Sequence, residues 1–401
     1  MKLAIVVNSF PKLSETFILN KVLLLRQAGV GVTVIAQSRE KDSQISSEKP
    51  EEIRKVRIQY SLPVRKPLRF AFEILWILIH HPRKFIHLLG QAKKLHSNWD
   101  RAMRAFLLAL PIKQSDYDII HFEMSGIAVA YLDALPLLKP AKLVTSCRGA
   151  AEQITPLIDP TRGEKLRQVF KEMDLVHCVS EDILRTAEIY GLNRAKAFVN
   201  FPSIDPEKFH REFPYPEKTI GPYKLITVGR LHWKKGHEFG LLTIKELIDR
   251  GYNVEYSIVG DGPEMEKLLF MIHNLGIADH VSLMGGRTTK EVKALLEQAD
   301  VFLLPSLSEG ISNAALEAMA MELPVVSTTA GGMAEAITDE QDGLLVPPNQ
   351  PIVMAEKIAW LLENPGARKS MGFSGRKTIQ NTFTIRDQID KYLSKYKNYV
   401  R

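Results

Sequence analysis

The sequence predicts an α/β protein with two doubly wound parallel sheets, each in its own domain. Short apolar runs alternate with longer amphipathic stretches, and turn residues separate them, which is typical of strand–helix–strand units. Most of the runs are apolar throughout, as strands are when both faces of a parallel sheet are covered. The alternation runs twice along the chain. We therefore expect two Rossmann-like domains that face each other across a cleft.

The first series of alternating strands and helices predicts an N-terminal domain over residues 1–203. Helical patterns follow its first and last strands at Glu15–Ala28 and Glu181–Tyr190. The strands are predicted from their shortness and from their content of Val, Ile and Leu. They are Leu3–Val7, Val32–Ile35, Ile119–Phe122, Lys142–Thr145 and Leu175–Val179.

A proline-rich connector precedes the second series of strands and helices. Five prolines between Pro202 and Pro222 favour an extended segment over a helix. We expect a C-terminal domain over 204–383, followed by a polar helix over 384–401 that packs back on the first domain. The strands of the C-terminal domain are Lys224–Val228, Tyr256–Val259, Val281–Met284, Val301–Leu304, Pro324–Val326 and Leu344–Val346. Its helices are Phe239–Arg250, Glu264–Leu275, Lys290–Glu297 and Asn313–Met321.

Composition points to a soluble cytoplasmic protein. Hydrophobic residues make up 45% and charged residues 25% of the 401 residues, ordinary values for a globular protein. The chain enters its first strand directly, without the pattern of a signal peptide. The longest apolar run, Phe70–Ile79, is about half the length that spans a bilayer. Two cysteines, Cys147 and Cys178, indicate a reducing compartment and no disulfide framework.

The net charge of +7 is unevenly distributed, since residues 53–113 hold 13 basic and two acidic residues. Aromatic residues interleave with this basic segment 54–113, a composition typical of helices on an anionic membrane surface. The alternative is a helix whose apolar face packs on its own domain. No zinc-finger, RRM or KH signature indicates a nucleic-acid partner. The aromatic residues include Phe70, Phe72, Trp76, Phe85 and Trp99.

A basic loop follows Lys224–Val228, the first predicted strand of the C-terminal domain. It runs from Gly229 to Gly236 and contains Arg230 and Lys235. Ligands of open α/β sheets bind beyond the carboxyl ends of the strands. Arg230 as a planar fork and Lys235 as a point charge could therefore hold a diphosphate. The alternative is a solvated basic turn before a helix.

Two glutamates flank the start of the helix that follows Val301–Leu304. Glu309 lies in the loop, Ser312 or Asn313 is the predicted N-cap, and Glu317 lies about one turn inside the helix. Carboxylates at this spacing could hold hydroxyls at two ends of a polyhydroxylated ligand, with a phosphate at the helix start between them. The alternatives are a solvated loop residue for Glu309 and a helix-surface acid for Glu317.

These loops resemble those of the retaining nucleotide-sugar glycosyltransferases of family 4, and the resemblance covers 199–383. The N-terminal run from Asn8 to Phe17 resembles the branch that builds exopolysaccharides such as colanic acid. The motifs that carry the main resemblance are Gly229–Gly236, Val259–Pro263, Pro305–Ser306, Glu309–Ala320, Leu323–Val326, Gly331–Gly332 and Gly343–Pro348.

The resemblance implies a GT-B fold, with the donor nucleotide in the second domain and no required cofactor or metal. It implies that Arg230 and Lys235 neutralise the donor diphosphate, that Glu317 binds the ribose, and that Glu309 contacts the transferred sugar. The donor-binding residues it implies are Gly229, Arg230, Lys235, Glu309, Gly310, Ile311, Ser312, Asn313 and Glu317. The implied reaction is retaining transfer from a UDP- or GDP-sugar to a glycan or lipid-linked acceptor. The catalytic set is Glu309, Arg230 and Lys235.

The first domain departs from the family pattern. Family members often carry His-x-His after the fourth strand and Thr-x-His-Gly shortly after it; this chain has His121-Phe122-Glu123, and Arg148 where the second histidine falls. An arginine cannot act as a base but could bind a phosphate or an acidic sugar. The candidates for the acceptor or sugar side are Ser14, Glu15, His121, Glu123 and Arg148. The alternative for these is a turn or cap role.

Two other functions use the same features. One is a GT-B enzyme of another class, a sugar epimerase or a phosphorylase; a phosphorylase would need pyridoxal phosphate. The other is a non-catalytic protein that binds a nucleotide sugar or a glycan.

Overall fold

The computed structural model describes residues 1–11, 16–38, 53–62, 67–213 and 222–400. The chain divides into two units, each with one parallel sheet. The first unit comprises Met1–Val179, Ile183–Asn200 and Ile389–Arg401, and the second comprises Ser180–Asp182 and Phe201–Gln388. The prediction of two Rossmann-like α/β domains is confirmed.

In the described residues, the sheet of the first unit has seven strands in the order β3-β2-β1-β4-β5-β6-β7. Every neighbouring pair is parallel, and β1 pairs with both β2 and β4. The chain therefore reverses its direction across the sheet between β1 and β4. The strands are β1 Lys2–Ser9, β2 Gly31–Ser38, β3 Arg57–Tyr60, β4 Ile119–Phe122, β5 Lys142–Cys147, β6 Leu175–Cys178 and β7 Ala197–Val199.

The five predicted strands of this sheet are present, and the two edge strands β3 and β7 were missed. Only Ile58 and Tyr60 among the four residues of β3 are apolar or aromatic, and β7 has three residues. The helices of this unit are α1 Thr16–Gln27, α2 Pro67–His80, α3 Pro82–Leu95, α4 Trp99–Lys113, α5 Ser125–Ala130, α6 Ala150–Gln153, α7 Thr155–Ile158, α8 Thr161–Glu172 and α9 Glu181–Ile189, which begins in the second unit.

The sheet of the second unit has the order β10-β9-β8-β11-β12-β13 in the described residues, again with parallel neighbours. All six predicted strands are present, and here the reversal lies between β8 and β11. The strands are β8 Tyr223–Val228, β9 Val254–Val259, β10 Val281–Gly285, β11 Val301–Leu304, β12 Val325–Thr328 and β13 Leu344–Val346.

Helices pack on the strands of the second unit through buried aliphatic side chains. They are α10 His237–Asp249, α11 Met265–Asn274, α12 Thr289–Gln298, α13 Asn313–Ala320, α14 Met333–Ala336, α15 Pro351–Glu363 and α16 Pro365–Thr382; the terminal helix α17 spans Ile385–Val400. The part of α17 from Ile389 onward belongs to the first unit. Within the described ranges, no helix has the length and hydropathy needed to cross a bilayer.

Candidate functional site

The loops after β8 and β11 contact each other at the reversal point of the second sheet, where open α/β sheets bind ligands. The Leu307 amide donates to the Lys234 carbonyl at 2.7 Å. Gly236 has a φ of 59°, and a Cβ there would lie 2.1 Å from the Pro305 carbonyl oxygen. Only glycine fits this position. The glycine therefore fixes where the preceding Lys235 projects.

Lys235 and Glu309 form an ion pair between these two loops. Lys235 Nζ donates to Glu309 Oε1 at 2.5 Å, and the Ser306 hydroxyl donates to the same oxygen at 2.7 Å. The lysine side chain is 21% exposed and the glutamate side chain 9%. Gly229 packs beside the lysine stem, since a Cβ there would lie 3.5 Å from Lys235 Cε, an ordinary van der Waals distance. The structure thus brings three predicted donor-site residues together and adds Ser306.

Arg230 lies in the same loop, but its side chain is exposed. Within the described residues it makes no side-chain hydrogen bond or ion pair, while its carbonyl accepts from His237 Nε2 at 3.0 Å. Burial, and after it the positive charge of Arg230, lowers the pKa of Lys234. The loop therefore concentrates positive charge at the strand ends and leaves the Arg230 guanidinium available to an anion.

The helix α13 begins at this edge of the sheet. Of the two predicted N-caps, Ser312 and Asn313, the N-cap is Ser312, and its hydroxyl accepts from the Ala315 amide at 3.4 Å. In the described part of the chain, the amides of Asn313 and Ala314 have no acceptor, as is normal for the first turn of a helix. These two N–H groups and the positive end of the helix dipole favour an anion here.

The loop before α13 packs tightly against the turn after β12. The Gly332 amide donates to the Gly310 carbonyl at 2.6 Å. A Cβ on Gly331, which has a φ of 61°, would lie 1.9 Å from the Glu309 carbonyl oxygen. Ile311 is buried in the core of this unit. Backbone packing therefore holds Glu309 and Gly310 in place independently of the Lys235 ion pair.

Glu317 lies in the middle of α13 and is partly buried. Its carboxylate has no hydrogen-bond partner among the described residues. Burial raises its pKa from 4.5 to about 7, against the opposing attraction of Lys208. Because the folded state holds this proton more tightly, the contribution of Glu317 to stability decreases as the pH rises from 4.5 toward 7. A group that can donate or accept hydrogen bonds suits a ligand hydroxyl.

The first unit contains a buried polar cluster at the carboxyl ends of β4, β5 and β6. Glu123 pairs with Lys21 and accepts from Arg148 Nη2 at 2.8 Å. The Arg148 guanidinium also stacks on Phe17, 4.2 Å from the ring centroid. Despite the cost of burial, Lys21, then His121 and Arg148 hold the pKa of Glu123 well below its usual range. Glu123 is fully buried, whereas the Arg148 side chain is 21% exposed.

A chain of hydrogen bonds runs through the histidines of this cluster. Burial lowers the pKa of His121 and His177, so both are neutral. Lys21 Nζ lies 3.2 Å from His121 Nδ1, which assigns Nδ1 as the acceptor and Nε2–H as the donor to Ser146 Oγ at 2.7 Å. Ser146 lies 2.9 Å from His177 Nδ1, and His177 Nε2 lies 2.8 Å from the Asn200 carbonyl.

The terminal helix α17 completes the cluster with two buried tyrosines. The Tyr396 hydroxyl lies 2.5 Å from His121 Nδ1, and the Tyr392 hydroxyl lies 3.0 Å from His177 Nδ1. Lys21 also lies over the Tyr392 ring, 4.0 Å from its centroid. The polar groups of His121 are thus satisfied internally, and its side chain is fully buried.

Of the five first-domain candidates, the structure leaves Arg148 partly exposed and buries His121 and Glu123. Ser14 and Glu15 lie outside the described residues. Sequence reasoning missed Lys21, Ser146 and His177. Lys21 lies among apolar residues of α1, and this position in the sequence indicates that the lysine is buried with a partner. Among the described residues, no group of three His, Cys, Asp or Glu side chains is placed to hold a metal ion.

Two family models match the chain. The model described as Glycosyltransferase Family 4 matches residues 14–208, and the model described as Glycosyl transferases group 1 matches residues 210–378. A relative from Escherichia coli strain K12, whose name assigns it to colanic acid biosynthesis as the glycosyltransferase WcaL, is 28% identical over 376 residues, 90% of each chain. The amylovoran biosynthesis glycosyltransferase AmsK of Erwinia amylovora is 28% identical over 396 residues, 96% of each chain.

Solved structures share the fold at low sequence identity. The Anabaena protein Alr3699/HepE, crystallised with UDP, superposes with a TM-score of 0.72 at 15% identity, covering 99% of both chains. At this identity the likeness concerns the fold alone, which is the GT-B fold with its two Rossmann-like domains.

Proposed function

This chain belongs to the glycosyltransferases that join a family 4 domain to a group 1 domain, and on that basis we propose that it moves a sugar from a UDP- or GDP-linked donor to an acceptor hydroxyl with retention at the anomeric carbon. The observation that carries the proposal is the Lys235–Glu309–Ser306 cluster beside the start of α13. It places a cation, a carboxylate and free helix amides at the reversal point of one sheet.

The donor diphosphate is the group that this cluster suits best. Lys235 Nζ has further donors beyond its bond to Glu309, and the Arg230 guanidinium is exposed in the same loop. The amides of Asn313 and Ala314 add two neutral donors. As the bond from the anomeric carbon to the leaving oxygen breaks, negative charge grows on the diphosphate. Fixed cations stabilise that charge, so we propose that the reaction needs no bound metal.

The two glutamates suit the two ends of the donor. Glu309 pairs with Lys235 and accepts a hydrogen bond from Ser306. Its carboxylate is therefore fixed where the transferred sugar would lie beside the diphosphate. Glu317 lies further along α13 and has no hydrogen-bond partner in the described part of the chain, and we assign it to the ribose hydroxyls. Both carboxylates would accept hydrogen bonds from ligand hydroxyls.

The acceptor would attack from the face that the diphosphate leaves. In that step the acceptor oxygen bonds to the anomeric carbon, the carbon–oxygen bond to the diphosphate breaks, and the acceptor proton moves to a leaving phosphate oxygen. No protein base is then required. On the acceptor or sugar side, we assign Arg148 to an anionic group such as a phosphate or a uronic carboxylate, because Glu123 and Phe17 hold its guanidinium partly exposed.

We place the activity in bacterial exopolysaccharide or glycolipid assembly, in the cytoplasm. Two relatives that align along at least 90% of their length carry the names of polysaccharide pathways. The described cysteines Cys147 and Cys178 are buried and free, which suits a reducing compartment. A glycan or lipid-linked acceptor would fit such a role.

The proposal predicts a product with the donor's anomeric configuration. Purified protein is mixed with EDTA, a cell-derived lipid and glycan fraction, and UDP- or GDP-sugars, and proton NMR follows the anomeric signals. We expect the α-linked donor to give an α-linked product and free nucleoside diphosphate. A β-linked product would overturn retention. Sugar isomerisation with the nucleotide still attached would indicate an epimerase instead.

A further inference from the structure

The helix α2 exposes an apolar face. Leu68, Phe72, Leu75, Trp76 and Ile79 recur at the spacing of one helix face, and the Phe72 side chain is 67% exposed. The opposite face, with Phe70, Ile74 and Ile77, packs on the core of the first unit. A helix that is apolar on both faces normally has a partner for each, and exposed apolar side chains grouped on one face, rather than scattered singly, mark an interaction surface.

Positive charge lies directly beside this face. The Trp76 ring stacks on His80 with centroids 4.4 Å apart, and α3 then begins at Pro82 with Arg83 and Lys84 exposed. Cations in the first turn oppose the helix dipole. Lys84 pairs with Asp116 at 3.3 Å, but both side chains are exposed, at 47% and 89%, and exposed pairs contribute little to stability. Ile86 on the same helix is 66% exposed. From Pro67 to Lys113, the acidic residues are Glu73 and Asp100.

We propose that the outer face of α2 and the first turn of α3 dock on the surface of an anionic phospholipid bilayer. Phe72, Trp76 and Ile79 would enter the boundary between headgroups and acyl chains, and Arg83 and Lys84 would bind lipid phosphates. The apolar side chains would match the acyl chains of the bilayer, and the neighbouring cations would match its anionic headgroups. The docking does not depend on the reaction proposed above.

Charge distinguishes a bilayer from a second copy of this chain. A symmetric dimer through α2 would place two strongly basic segments against each other, since residues 53–113 carry 13 basic and two acidic residues. An anionic bilayer neutralises that charge and also accepts the aromatic rings, which prefer the headgroup level. An anionic bilayer therefore accounts for both the basic charge and the exposed aromatic side chains of this surface.

The test is co-sedimentation of the full chain with vesicles of phosphatidylcholine, with and without one third phosphatidylglycerol. The variant Phe72→Ser/Trp76→Ser is compared with Phe270→Ser/Trp360→Ser. This control removes an equally exposed pair from the second unit, since Phe72 and Phe270 are 67% and 69% exposed and Trp76 and Trp360 are 43% and 45% exposed. Thermal melts of both variants check that each is folded.

We expect the wild type and the control to bind the anionic vesicles, and the α2 variant to bind them at least about tenfold more weakly. Arg83→Gln/Lys84→Gln should weaken binding by about fivefold for each charge, with less effect at high salt. Equal binding of the α2 variant and the control would overturn the proposal. So would the absence of vesicle binding, or a wild-type dimer that the α2 variant converts to a monomer.

Discussion

The substitution Lys235→Ala is expected to lower kcat by about 10² to 10³ without unfolding the protein. Lys235 is the one cation that contacts Glu309 among the described residues, and we place its Nζ beside the leaving diphosphate. Loss of a preorganised group that stabilises developing charge has an effect of about this size. The measurement is release of the nucleoside diphosphate from the donor at saturating concentration.

The matched control is Lys245→Ala. Lys245 also pairs with a carboxylate, that of Asp249, but it lies near the other end of α10. It should turn over the donor at the wild-type rate. Glu309→Gln should also reduce turnover, because the amide keeps the size of the side chain and loses the charge that holds Lys235. Turnover within threefold of wild type in Lys235→Ala would contradict this assignment.

The substitution Glu123→Ala is expected to destabilise the first unit by about 3 to 5 kcal/mol. Lys21 and Arg148 would lose the carboxylate that compensates them, and Lys21 is fully buried with it. Removing one partner of a buried ion pair has a cost of this size because a charge remains in a poorly solvated site. Urea denaturation at pH 7, followed by circular dichroism, measures the free energy of unfolding.

The matched control for this prediction is Glu164→Ala. Glu164 pairs with Arg167 on the surface of α8, where the two side chains are 58% and 50% exposed. Its loss should change the free energy of unfolding by less than about 0.5 kcal/mol. Because the pKa of Glu123 is depressed in the folded state, its contribution is present above pH 4.5 and is lost as the pH falls below that value. Similar losses in both variants at pH 7 would contradict the role of the buried pair.

Sequence reasoning predicts a strand well where burial alone specifies it. Every strand of the second sheet contains at least two residues of the types Val, Ile and Leu, so all six could be predicted without knowledge of their neighbours. The edge strand β3, Arg57-Ile58-Gln59-Tyr60, has only one aliphatic residue, and none of its four residues is buried. Its pairing with β2 depends on tertiary structure that no local pattern reports.

The candidate site of the second unit could be predicted because its residues lie in two loops that follow adjacent strands. Lys235 and Glu309 are separated in sequence, but the reversal between β8 and β11 brings their loops together. The cluster in the first unit is different. It combines Lys21 from α1, His121 and Glu123 from β4 and its loop, and Tyr396 from the terminal helix. No spacing in the sequence indicates that these distant segments meet.

The most direct test of the central claim is calorimetric binding of UDP, GDP and ADP to the metal-free protein. We predict that one nucleotide class binds, and that Lys235→Ala weakens this binding by at least tenfold while Lys245→Ala leaves it unchanged. That result would place a nucleoside diphosphate at the loops after β8 and β11. Failure of all three to bind, or equal binding by Lys235→Ala and wild type, would contradict it.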